Sequence, residues 1–297
     1  MRKILCVGAL TMDTIFRLER LPRGPGKFMP LEAVEVAEGM AAAQAASIVR
    51  LGGEAVLWAS AGADAAGDRL VEQLTGEGVD CSAVRRVAGA RSAFSSIFMD
   101  AQGERMIVPH YDQALAGDPG GLPPIAFSSI AAVSVDARWP AASALALRAA
   151  REHGRPGLLD ADVAPLAVLE SLAPLASHVV ASEPAALLLT GHLDARAATA
   201  ELAGIHGGFV AVTAGERGCF WWDSDAGMVR HVPAPRVTAI DTLAAGDVFH
   251  GAFALGLAES WEAERIVRFA SAAAAIKCTR FGGRLGAPDR AEVEGLI

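Results

Sequence analysis

Cysteine is scarce. The four in 297 residues, Cys6, Cys81, Cys219 and Cys278, lie far apart and none sits in a CxxC pair. That spacing supports neither a zinc site nor a disulfide framework, so reduced thiols in a cytoplasmic protein are expected. Long apolar runs are missing too: nothing approaches the ~18 uninterrupted residues that a membrane-spanning helix needs. No basic run offers itself to nucleic acid. The opening "MRKILCVGALTMD" begins basic and turns apolar, but Asp13 follows with no small-residue cleavage pattern. It reads as a first buried strand rather than a secretion signal. The seven histidines show no HExxH or other paired spacing, which argues against a transition-metal centre.

What remains is an apolar, mildly acidic chain. Apolar residues make up 52%, charged residues 20%, and the net charge is −8. Such a composition folds as a globule, and the length suffices for one large α/β domain or two small ones. Any anionic substrate must be held by a few local cations.

The pattern along the chain is strand–helix alternation. "KILCVGAL" and "AVLWASAGAD" read as core strands, with the small-residue helix "AAAQAASIVRL" between them and "GDRLVEQLTGEGV" as the next helix. From residue 126, the strands "SIAAVSVDA", "GLLDAD", "HVVAS" and "GFVAVTAG" alternate with the helices "AASALALRAAREHG", "PAALLLTG" and "ARAATAELAGIHG". This predicts a mostly parallel sheet covered by helices on both faces. Two β-rich pieces, 14–36 and 90–112, interrupt the pattern. They are expected to form a small separate sheet, the second piece turning at Gln102-Gly103.

The chemistry concentrates in "DTLAAGDVFHGAF". Ala244, Ala245, Gly246 and Asp247 open a long apolar helix, where backbone N–H groups lack partners and the helix end is partially positive. Small side chains let an anion approach those amides. No lysine follows, as a P-loop would require; instead there are two acids, Asp241 and Asp247. Asp247 either caps the helix or accepts a proton from an attacking hydroxyl. His250, one turn further, reads as a packed or hydrogen-bonded helix residue. Trp139, Trp221 and Trp222 read as core or rim aromatics.

This segment resembles the C-terminal signature, DTxGAGDxFxGA, of the ribokinase-type (PfkB) carbohydrate kinases. "GALTMD", "AEGMAAAQAASIVRLG", "AGADAAGDRL", "VTAGERG" and "SAAAAIKCTRFGG" resemble other family segments, in the right order over nearly the whole chain. The resemblance implies one ribokinase-like three-layer α/β domain over 1–297. It has a small β lid, from strands within 14–36 and 90–112, that closes over the sugar and pairs two subunits. It also implies transfer of the γ-phosphoryl group of ATP, with Mg2+, to a sugar hydroxyl. Asp247 would be the base, and the amides of Ala244 to Asp247 would stabilise the transferring group. Asp13 and Gly39 would bind the sugar, Thr213, Gly215 and Gly218 the nucleotide phosphates, and Glu183 the magnesium through water. The loop after "AIKC" would lie beside the adenine and a monovalent-cation site, such as one for K+.

Several positions depart from the family pattern. Glu38 replaces the first glycine of the N-terminal Gly-Gly pair, Ala43 the usual sugar-binding asparagine, and Ala244 a glycine of GAGD; "SEPA" stands for NxxE. "VDARWP", "LLDADVAP" and "KCTRFGGRLGAPD" look most like the sulfofructose kinase branch, which phosphorylates O1 of a ketohexose carrying a C6 sulfonate. On that likeness Lys27 and Arg138 would hold the sulfonate, as an ammonium and a guanidinium fork can. Pro109 stands where that branch has a polar residue. Arg138 is also placed to pair with Asp136 on the surface, and Lys27 to sit in solvent. The rival readings are a fructokinase or ketohexokinase with a neutral or phosphorylated substrate, and a catalytically weak sugar-binding regulator.

Overall fold

The structure, a computed structural model, describes residues 3–101 and 103–297. In chain order the elements are β1 (Lys3–Gly8), β2 (Thr11–Arg17), β3 (Glu32–Glu38), α1 (Met40–Arg50), β4 (Ala55–Gly62), α2 (Ala65–Gly76), β5 (Arg85–Val87), β6 (Phe94–Met99) and β7 (Arg105–His110). The second half adds β8 (Ile130–Val135), α3 (Pro140–Glu152), β9 (Gly157–Ala161), α4 (Leu166–Leu172), β10 (His178–Ser182), α5 (Glu183–Thr190), α6 (Ala195–His206) and β11 (Phe209–Thr213). The chain closes with β12 (Cys219–Asp223), β13 (Met228–Val232), α7 (Ala245–Ala258), α8 (Ala263–Cys278) and α9 (Arg290–Glu294).

The main sheet runs β13-β12-β11-β10-β9-β8-β1-β4-β5. It is parallel from β11 to β5, and the β12–β13 hairpin extends it antiparallel. Successive side chains of a strand point to opposite faces. Ile4 and Cys6 therefore enter the core shared with α1, α7 and α8, while Leu5 and Val7 enter the core shared with α3 to α6. Three layers follow from that alternation. The antiparallel hairpin, short β5 and α4 were not anticipated from sequence; "CFWWD" and "MVRHV" carry no βα alternation to announce them.

The strands expected to form a lid make a separate four-stranded sheet of order β3-β2-β6-β7. Its strands begin and end a little outside the expected pieces: β2 starts at Thr11 and β3 runs to Glu38, so Asp13 stands on a lid strand rather than at the end of β1. Of the expected turn, Gln102 lies outside the described residues, and Gly103 has φ 82°. The underside of the lid buries Ile15, Val36, Ile97 and Met99 against Leu243 and Phe281. The lid thus rests directly on the turn before α7. No described helix is long and apolar enough to cross a membrane, and all four cysteines are free thiols.

Candidate active site

The turn leading into α7 is held from below. The amides of Ile240 and Asp241 both donate to the carbonyl of Cys278, at 2.7 and 3.1 Å. The Asp241 carboxylate accepts from the amides of Leu243, Gly282 and Gly283 at 2.7, 3.0 and 2.9 Å. The fully buried ammonium of Lys277 donates to the Asp241 carbonyl at 2.6 Å and stands 3.1 Å from its carboxylate. Of the two aspartates in this segment, Asp241 is therefore the one that builds the turn.

Ala244 sits in the left-handed region at φ 59°, a conformation that favours glycine. That conformation strains an L-residue by about 1–2 kcal/mol, and the bracing around Asp241 maintains it. Ala244 is the N-cap of α7 and gives no side-chain cap. The Ala245 amide bends back to the Thr242 carbonyl at 3.3 Å. Gly246 and Asp247 follow in the first turn, where no helical carbonyl four residues back exists to take their amides. A Cβ on Gly246 would meet nothing within 4 Å, so the approach to these amides is open.

Asp247 keeps part of its surface open to the cleft, yet burial is the first cause holding its carboxyl well above the usual carboxylate range. The charges of Asp160, Asp136 and Asp162 push the same way, and Arg138 opposes them. Asp136 and Asp162 directly follow apolar strands, and Asp160 is the penultimate residue of one. Asp136 is fully buried and works as a bracket. It accepts from the amides of Ala9 at 2.8 Å, Ala41 at 3.1 Å and Arg138 at 2.7 Å, tying β1, α1 and β8 together. A Cβ on Gly8 would fall 2.1 Å from its carboxylate, so only glycine fits there. Asp160 accepts from the amide of Gln44 at 2.9 Å, and the Ser134 hydroxyl donates to Gln44 at 2.7 Å. His250 is buried beside them: Nδ1 faces the Gly246 carbonyl at 2.7 Å and Asp160 at 3.4 Å, and Nε2 faces the Val180 carbonyl at 3.2 Å. Burial lowers its pKa. It is a packed, hydrogen-bonded helix residue, as its position implied.

Arg138 does not pair through its side chain with Asp136, which is buried. Its guanidinium stands 3.4 Å from Asp162 and donates to the Val163 carbonyl at 3.1 Å. Asp13 accepts from the Thr11 hydroxyl at 3.1 Å, and burial raises its pKa. Opposite Thr11 across the β2–β3 ladder stands Glu38, buried and pushed up to about 8, first by desolvation and then, against the pull of Arg284, by Asp13 and Asp247. Gly39 follows at φ 102°, where a Cβ would lie 2.6 Å from the Ala9 carbonyl oxygen. Asp13, Glu38, Asp247 and Arg138 therefore form one chain of electrostatic neighbours, with Glu38 feeling Asp13 and Asp247, and Asp247 feeling Arg138. Lys27 does not join them: it is exposed in the β2–β3 connection, with no ion-pair partner among the described residues.

A second group stands at the ends of β10 and β11. Thr213 donates to the Ala181 carbonyl at 3.4 Å. Gly215 and Gly218 both have positive φ, and a Cβ on Gly218 would lie 2.1 Å from the Val232 carbonyl oxygen. Glu183 opens α5 and is ion-paired with Arg217 of that same glycine loop. Among the described residues, no three His, Cys, Asp or Glu side chains converge as a ready-made metal site. Sequence reasoning did not single out Asp136 (beyond a surface pairing), Asp160, Asp162 or the Lys277–Asp241 pair as site residues. The signal for the first three was an acid near or just past the end of an otherwise apolar strand.

Donor amides at a helix start, a carboxylate beside them and a glycine-containing loop at neighbouring strand ends form an arrangement chemically suited to phosphoryl transfer on an open α/β sheet. The family model for pfkB family carbohydrate kinases matches residues 1–290. The chain belongs to that family and is a phosphotransferase with an alcohol acceptor. It is 26% identical over 303 residues to the ribokinase of Bacillus subtilis (strain 168), covering 100% of both chains. Its fold matches an Agrobacterium tumefaciens crystal structure provisionally assigned as a ribokinase, with 46% identity, TM-score 0.96 and coverage of 99% and 96%. It also matches the Arabidopsis thaliana ribokinase complexed with ribose and ATP, with 23% identity, TM-score 0.82 and coverage of 99% and 98%. The second likeness shows fold alone.

Proposed function

We propose that this kinase transfers the γ-phosphoryl group of ATP to a hydroxyl of a small polyhydroxy sugar, with a neutral pentose or ketohexose as the preferred class. The observation that carries the reaction is Asp247, a partly open carboxylate of raised pKa beside the unpaired amides of Gly246 and itself. The sugar lies under the lid with hydroxyls on Asp13 and Glu38, and one further hydroxyl reaches Asp247. Asp247 takes that proton as the oxygen attacks, and the amides meet the charge on the transferring group. The nucleotide runs toward Thr213, Gly215 and Gly218. Magnesium bound with ATP would supply neutralisation of phosphate charge, and Asp162 or Glu183 would be the residues to help hold it. The scattered carboxylates suit that role, since Mg2+ takes only one or two protein acids.

The neutral class is favoured by the acid lining. Asp136, Asp160 and Asp247 are all opposed by the same cation, Arg138, whose guanidinium already faces Asp162. The ribokinase relatives point the same way. One observation favours the anionic ketohexose such as 6-deoxy-6-sulfofructose, phosphorylated at O1: Arg138 stands within electrostatic reach of Asp247 and of Tyr111 at the exit of the lid. An ADP-release screen over ribose, deoxyribose, fructose, fructose 6-phosphate and 6-deoxy-6-sulfofructose decides. Preference for a neutral sugar is expected, with Arg138→Ala changing KM for it only a few-fold. Preference for the sulfosugar, abolished by Arg138→Ala, overturns the neutral assignment. Asp247→Asn is expected to lose at least a thousandfold in kcat while still binding ATP. No sugar-dependent ADP release from wild type across the panel would favour a binding protein instead.

A further inference from the structure

The residues do not suit the monovalent cation that the family resemblance implied. A soluble cation such as K+ binds where carbonyl and carboxylate oxygens converge and replace its hydration shell. Beside the cradle turn the carbonyl and carboxylate of Asp241 converge, and the Lys277 ammonium already occupies both, at 2.6 and 3.1 Å. Lys277 and Asp241 are each fully buried.

We infer that Lys277 is a built-in replacement for a soluble monovalent cation, a positioning residue that fixes the turn from Asp241 to Gly246 and makes turnover independent of K+. An ammonium fully withdrawn from water is costly unless paired and hydrogen-bonded. Its two oxygen partners belong to the residue that also collects the amides of Leu243, Gly282 and Gly283. Lys277 lies in the last turn of α8, so its charge couples the end of that helix and the 282–283 loop to the turn that holds Ala244 in its left-handed conformation. The amides of Gly246 and Asp247 are aimed by that conformation. Removing the ammonium leaves a space bounded by a carbonyl, a carboxylate and glycine backbone, which a small cation from solution fits.

This rests on the kinase reading, and the tests separate the two. Wild type is assayed with its best sugar at constant ionic strength in potassium, sodium and tetramethylammonium chloride, the last being too large to enter. Rates within twofold of one another are expected. A tenfold or greater requirement for K+ overturns the proposal. Lys277→Met should lower kcat at least tenfold in tetramethylammonium, with a smaller change in KM for the sugar, and recover several-fold when K+ or methylammonium is added. Full activity without any small cation, or a slow variant that no cation restores, also overturns it. If Lys277→Met fails to fold, the wild-type series decides alone. ATP affinity by calorimetry in the same three salts needs no sugar and should not vary for wild type; a strong K+ dependence there counts against Lys277 even if no sugar substrate is found.

Discussion

At the scale of single residues the site is governed by crowded acids. Asp247 must be ionised to act as a base, and burial plus Asp160, Asp136 and Asp162 raise its pKa while Arg138 lowers it. The acid limb of the kcat/KM profile should therefore have its midpoint above the usual carboxylate range, and Arg138→Ala should move it further up. A profile in which both enzymes fall at the ordinary carboxylate pKa would show that neither influence reaches Asp247. Glu38 gives a separate, thermodynamic reading. Its folded pKa of about 8 lies above the ordinary 4.5, so between those values the unfolded chain loses a proton that the folded chain keeps. Stability is then present below the lower value and lost as pH rises toward the upper. Glu38→Gln removes the loss while its amide oxygen can still accept from the Arg284 amide. The variant should gain on wild type by on the order of a few kcal/mol between pH 5 and pH 8.5, seen as a growing difference in denaturation midpoint. A gap that does not change with pH would mean Glu38 is ionised throughout. The place of Asp247 in the first turn of a helix was legible from sequence, because small residues precede an apolar run there. Asp136 and Asp160 were not, because their partners Ala9 and Gln44 stand 127 and 116 residues away.

At the scale of elements, the cradle's position depends on how closely α7 packs on α1. A Cβ on Gly251 would lie 2.7 Å from the Gln44 carbonyl oxygen and 3.0 Å from the Ser47 Cβ. The apolar run of α7 was readable, but nothing in its pattern said which glycine meets a neighbouring backbone. Gly251→Ala should push the helices apart at a cost of ~1–3 kcal/mol. Because α1 carries Gly39 at its start and α7 carries Asp247, kcat should drop as well. Gly204→Ala is the matched control: it lies in α6 with nothing within 4 Å, and the better helix former should stabilise by up to ~1 kcal/mol. Urea midpoints that move equally for the two variants would remove the close-packing explanation. The strand–helix alternation was legible for the same reason that the β12–β13 hairpin was not. Buried parallel strands read as apolar runs between helices, whereas an antiparallel edge depends on pairing that the run itself does not encode.

At the scale of the whole molecule, the lid is the surface left unfinished. Its inner face is buried over the cradle turn, but β7 is exposed along its whole length, at the edge of its sheet. In the antiparallel ladder Val108 pairs with Ser96 and Met106 with Phe98, so both share the outer face with the stacked rings of Phe16 and Phe98. Phe28, Met29 and Leu31 in the β2–β3 connection add more exposed apolar area, Met29 being 76% accessible. An unpaired edge strand beside an apolar patch is a pairing surface, and a second copy of the chain is the partner proposed for it. Sedimentation at micromolar concentration should give twice the 30.6 kDa of one chain. Val108→Asp places a charge in the middle of that face without touching Asp13, Glu38 or Asp247. It should yield monomers whose ATP affinity is unchanged and whose KM for the sugar rises several-fold, because an unsupported lid closes less often over the cleft. A wild type that sediments as a monomer, or a Val108→Asp variant that stays dimeric, would move the interface elsewhere; a monomeric variant with unaltered KM would detach lid pairing from sugar binding.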